Sequence, residues 1–102
     1  SPSPTRVINA SALALRSLEL ADLGVQKKNT VVVRTQLQLT RKYLDELLPY
    51  LQAQGQQEMA DELAGLMKTA ETELVRDPQA IGPAVENLMD ALESLNEVLA
   101  LD

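Results

Sequence analysis

Apolar residues recur every third or fourth position through most of the chain. Val33, Leu37, Leu44, Leu47 and Leu51 fall on one helical stripe, and Ile81, Val85, Leu88, Leu92, Leu95 and Leu99 fall on another. That spacing matches the turn of an α-helix and marks a face that buries against other helices. Met59, Leu63, Leu66, Ala70 and Leu74 supply a third stripe between them.

Local signals set the expected boundaries. Residues 1–3 read as a linker end, with Ser3 as an N-cap ahead of Pro4. Helix 1 is predicted over about residues 4–23, with Gly24 as the left-handed residue that ends it. Asn29 caps helix 2, about 29–54, which stops at Gly55. Helix 3 spans about 56–75, with Glu58, Asp61 and Glu62 near its positive end and Arg76 at its negative end. Helix 4 is predicted over 78–101, opened by Asp77 and Pro78. Gly82-Pro83 offers a second start that would detach a single turn, and an unbroken helix there must kink.

Connections of a few residues force consecutive helices antiparallel. The predicted fold is therefore all-α, one domain over residues 4–102, an up-down-up-down four-helix bundle. Helix 2 is its longest element, bent near Pro49, which removes the hydrogen bond to the Asp45 carbonyl.

Helix 1 departs from this pattern. Ile8, Ala10, Ala12, Leu13, Ala14, Leu15, Leu18, Leu20, Ala21 and Leu23 nearly surround its axis. A helix apolar on most sides is buried on more than one. Leu13 and Leu20, seven apart, thus define a candidate interaction face with Ile8 and Arg16. A second copy of the chain, making a homodimer, or a protein partner or flanking domain would cover it. The plainer alternative is that the alanines do not count and the stripe is only slightly wide.

Composition narrows the chemistry. The 102 residues include no His, Cys, Phe or Trp. Without His or Cys there is no Ser-His or Cys-His nucleophile, no sulfur-ligated zinc and no di-iron centre of the bundle type. Glu58, Asp61 and Glu62 match no cation-loop motif, and Glu71 and Glu73, two apart, lie on different faces. The four glycines are isolated, so no phosphate-binding loop is present. The expectation is no catalytic, cofactor-binding or metal site, and no enzyme. No stretch is long and apolar enough to span a membrane. Cysteine usage leaves the compartment open between cytoplasmic and exported. A start without Met and an end inside the helical pattern Val98–Asp102 are expected of a domain excised from a larger protein; cleavage behind a signal sequence would also give such a start.

The net charge is −6 and is unevenly spread. Residues 1–42 hold seven basic groups against Glu19 and Asp22, a net of +5, and leave −11 for residues 43–102. Lys27, Lys28, Arg34 and Arg41 form a candidate basic rim, either compensated by acidic neighbours within the bundle or offered to a charged partner. Tyr43 and Tyr50 lie on the same helix, but the acidity of the remainder opposes nucleic-acid binding.

Two partial resemblances stand beside this reading. Ala21 and Gly24 followed by an amphipathic helix resemble one tetratricopeptide hairpin, although helix 2 is too long and the repeat's aromatic and Pro positions are missing. The run from Leu39-Thr40 to Leu51, then Gly55, Met59-Ala60 and Glu62-Leu63, is similar to helical extensions that follow von Willebrand factor A-type domains. It covers about a third of the chain, and no functional residue is carried over from either. The expected function is a non-catalytic interaction, scaffold or oligomerisation module that buries an apolar helix face. A small-ligand or sensory bundle with a cavity near Pro49 is the alternative, as is a von Willebrand-type helical extension.

Overall fold

The computed structural model describes residues 3–101. Of the linker end predicted over residues 1–3, residues 1–2 lie outside them, and Ser3 caps α1 by accepting from the Arg6 amide. All regular structure among the described residues is helical: α1 (Pro4–Gln26), α2 (Thr30–Ala53), α3 (Gln57–Arg76), a single 3-10 turn (Pro78–Ala80) and α4 (Gly82–Leu101). The molecule measures 37 × 20 × 20 Å. A helix of α2's 24 residues extends about 36 Å, so α2 runs the length of the molecule.

α1 packs against α2 and α4, and α3 closes the ring by packing against the same two. Arg6 meets Glu46, Ser17 meets Thr40, and Gly24 lies beside Val32 and Val33. Ser11 meets Asn96 while Gly82 lies near Val25. Residues early in α1 thus face residues late in α2 and in α4, so α1 runs opposite to both.

The narrow stripes of α2 and α4 form the core. Val33, Leu37, Leu44, Leu47 and Leu51 are all buried, as are Ile81, Val85, Leu88, Leu92 and Leu95; Leu99 is partly covered. On α3 the buried line is Ala60, Leu63, Met67 and Ala70, with Met59, Leu66 and Leu74 on its flanks. The α3 stripe read from the sequence is therefore rotated, with Met59, Leu66 and Leu74 straddling a seam of two alanines, Leu63 and the flexible Met67.

α1 makes its core contact with a different set of residues. Its buried face is Val7, Ala10, Ser11, Ala14, Ser17, Leu18, Ala21 and Gly24, mostly small residues. Small side chains let two helix backbones approach closely, and α1 has its most extensive packing with α2. Ser17 and Thr40 are buried between them with their hydroxyl oxygens 2.6 Å apart. Ser17 is also within reach of the Ala14 carbonyl and Thr40 of the Gln36 carbonyl. Two protons serve three contacts, so one hydroxyl donates to the other and the second to its own helix.

Two boundaries differ from expectation. Gly24 does not end α1; it is buried three residues inside it. A Cβ there would lie 3.0 Å from Val32 Cγ1 and Val33 Cγ2 and 3.2 Å from the Val33 nitrogen, so glycine is needed for close approach. The left-handed residue is Lys28, φ 55°. The amide of Asn29 donates to the Gly24 carbonyl and that of Lys28 to the Val25 carbonyl, a Schellman end. Gly55, φ 77°, closes α2 in the same way, with Gln56 donating to Leu51 and Gly55 to Gln52. The Asn29 side chain accepts from the Val32 amide and starts α2.

The second correction concerns helix 4, which is divided. The Asp77 side chain accepts from the Gln79 amide and opens the 3-10 turn, and α4 begins at Gly82. Pro83, lacking an N–H, is accommodated in α4's first turn, while Ile81 between the two pieces is fully buried.

Candidate interaction surfaces

The four residues of the expected α1 face are placed on different sides of the helix. Leu13 is 47% exposed and Ile8 44%; Arg16 is exposed and Leu20 half-buried. At 100° per residue, Leu13 and Leu20 flank the Ser17 side of the buried face, next to α2. Ile8 lies on the opposite flank, next to α4, and Arg16 points between them into the outer sector with Asn9 and Leu23. Leu13 and Leu20 share an edge; Ile8 does not join them.

The basic rim is also divided. Lys27 and Lys28 are exposed in the α1–α2 connection. Arg41 is engaged within the bundle, its Nε donating to Glu71 Oε2 at 3.0 Å and its Nη2 to Glu71 Oε1, with Asp45 one turn along at 3.5 Å. The hydrogen bonds that Arg41 donates to Glu71 raise the Arg41 pKa, against a smaller opposing effect of burial. At the end of α3, Glu73 does the same for Arg76. Arg34 is exposed and has no ion pair among the described residues.

Arg34 borders an open groove of about 520 Å³ between the start of α2 and the end of α3. Leu37, Leu74, Val75 and Pro78 form its apolar wall. A neighbouring groove shares Glu71 and Val75 and adds Lys68 and Thr72. Val75 is 86% exposed, the most exposed large apolar side chain among the described residues. Its position off the α3 stripe is visible in the sequence, but the proximity of Arg34 is not, since it depends on the pairing of α2 with α3.

The chemistry available is limited. Among the described residues no three acidic side chains converge on a point that could hold a metal ion, and no buried side-chain nitrogen or oxygen lacks a hydrogen-bond partner. Tyr43 and Tyr50 are half-buried against the core, which limits the ring surface they can offer for stacking. No described helix is long and apolar enough to cross a membrane. No family model, curated protein or solved structure matches the chain, so neither resemblance is carried further.

Proposed function

We propose that the chain is a non-catalytic docking module that buries the outer edge of α1, around Leu13 and Leu20, against a protein partner or a second copy. One observation supports this reading most directly. α1 turns mostly small residues inward and leaves Leu13 47% exposed beside half-buried Leu20, with Leu23 45% exposed in the adjoining outer sector. Large apolar side chains kept outside a core that small ones fill are what a docking edge requires.

Sedimentation across a concentration series tests the second copy. Mass that rises with concentration, and no longer rises in Leu13→Asp, is the expected result for self-association; a monomer throughout leaves a different protein as the cover. Co-purification from the native source then compares wild type with Leu13→Asp. Identical retained proteins in both, together with a strict monomer, would remove the reading.

The ligand-binding alternative has less support. The concavity at the Pro49 end, bordered by Tyr50, Met59 and Leu95, is about 160 Å³. Small-molecule sites run from roughly 300 Å³ upward.

A further inference from the structure

We infer that the grooves on either side of Val75 form a second docking surface, independent of α1, whose occupant is an acidic peptide segment carrying large apolar side chains. Three observations converge on it. The first is shape and apolarity: a groove of about 520 Å³ walled by Leu37, Leu74 and Val75, with Val75 86% exposed. Val75 is the part of that wall that gains by covering, since Leu37 is already buried and Leu74 half-buried.

The second is the charge left over. Of the nearby acids, Glu71 is answered by Arg41 and Glu73 by Arg76, while Asp77 has no ion pair among the described residues and accepts from the Gln79 amide. Arg34 on the α2 side and Lys68 on the α3 side have no ion pair among the described residues. Two uncommitted cations therefore bracket an exposed valine on a chain of net charge −6.

The third is selectivity. A polyphosphate gains nothing from the apolar wall at Val75, whereas the acidity of the rest of the chain opposes both kinds of anion alike. A carboxylate-bearing apolar segment uses both halves of the surface: its side chains enter the groove and its carboxylates meet the guanidinium and the ammonium. Arg34 offers a planar fork for a carboxylate, and Lys68 a mobile point charge at the other rim. Recognition of this kind reads an amphipathic helix or an extended strand through a few apolar anchors.

The test is fluorescence anisotropy with a labelled amphipathic peptide that has Leu on one face and Glu on the other, beside an analogue with Lys in place of Glu and a labelled single-stranded DNA. The acidic peptide should bind the chain, with affinity falling as salt rises. Arg34→Glu combined with Lys68→Glu should weaken it by about tenfold or more, as should Val75→Asp, while Arg16→Glu on α1 leaves it unchanged. These positions are exposed, and circular dichroism verifies that each variant remains helical. Equal binding by all variants, equal binding of the Lys analogue, or stronger binding of the DNA would overturn the inference. So would a rise in the chain's mass with concentration that Arg34→Glu with Lys68→Glu abolishes, since the groove would then be filled by a second copy.

Discussion

Gly24 and Gly65 both lie inside helices, yet alanine at the two positions should change stability in opposite directions. At Gly65 a Cβ meets nothing within 4 Å, so Gly65→Ala should stabilise the protein by about 0.8–1 kcal/mol through helix propensity alone. At Gly24 the same gain is set against Val32, Val33 and the α2 backbone, and Val33 is 3% exposed and held by the core. Gly24→Ala should therefore be destabilising by about 1–2 kcal/mol net. Denaturant titration of the two variants checks the signs. Lys28 provides a third case, because a lysine held at φ 55° carries the left-handed penalty that Gly55 avoids. Lys28→Gly should add up to about 1 kcal/mol, and a loss of stability would show that the Lys28 side chain contributes something its exposed position does not reveal.

Between elements, the Arg41–Glu71 contact is the best-formed bridge from α2 to α3, though the two side chains keep 32% and 40% of their surface in water. Arg41→Gln should cost about 0.5–1 kcal/mol, and Arg41→Lys should recover only part of it because the two-pronged geometry is lost. The raised Arg41 pKa fixes the pH behaviour. A group whose pKa rises on folding contributes stability that is complete below its unfolded pKa and is lost only as pH climbs through the folded value. Both values lie in the guanidinium range, so the melting-temperature gap between wild type and Arg41→Gln should stay constant from neutral pH to about pH 9. The buried Ser17–Thr40 pair behaves differently. Thr40→Val should cost about 1 kcal/mol, while Ser17→Ala with Thr40→Val together should cost less than the two single changes summed, read from a double-mutant cycle.

How much of these elements was legible depends on the residues that make their buried faces. α2 and α4 seal the core with leucine and its relatives at regular spacing, and their stripes could be read directly. α1 could not be read in this way, since Ala10, Ala14, Ser17, Ala21 and Gly24 carry little hydrophobicity and their value lies in how close they let α2 come. Weighting by hydrophobicity therefore marks Leu13 and Leu20, which border the interface, and treats Gly24 as punctuation. The division of helix 4 was present as one of two options at Pro83, and the structure takes it, with a 3-10 turn at Pro78–Ala80 and α4 from Gly82.

At the scale of the whole molecule, the excess of positive charge in the first 42 residues is only partly cancelled by acidic neighbours. Arg6 and Arg41 find acids on α2 and α3, whereas Arg16, Lys27, Lys28, Arg34 and Lys42 have no ion pair among the described residues. The sequence could show this excess but not which cations remain free, because pairing is a property of the assembled ring. Lys68 joins them from the acidic half of the chain, where composition alone would not direct attention.

The small-residue seam of α1 also bears on the order of assembly. A connection of three residues between α1 and α2 costs little loop-closure entropy, and a face with Leu18 as its one long side chain loses little rotamer freedom on docking. The α1–α2 hairpin should thus form ahead of the contacts that bring α4, more than fifty residues away, against α1. Ala14→Gly and Ala21→Gly should slow refolding, while Leu88→Ala and Leu92→Ala should chiefly hasten unfolding. Chevron plots separate the two, and a larger refolding effect from the α4 pair than from the α1 pair would place the nucleus at the far side of the bundle.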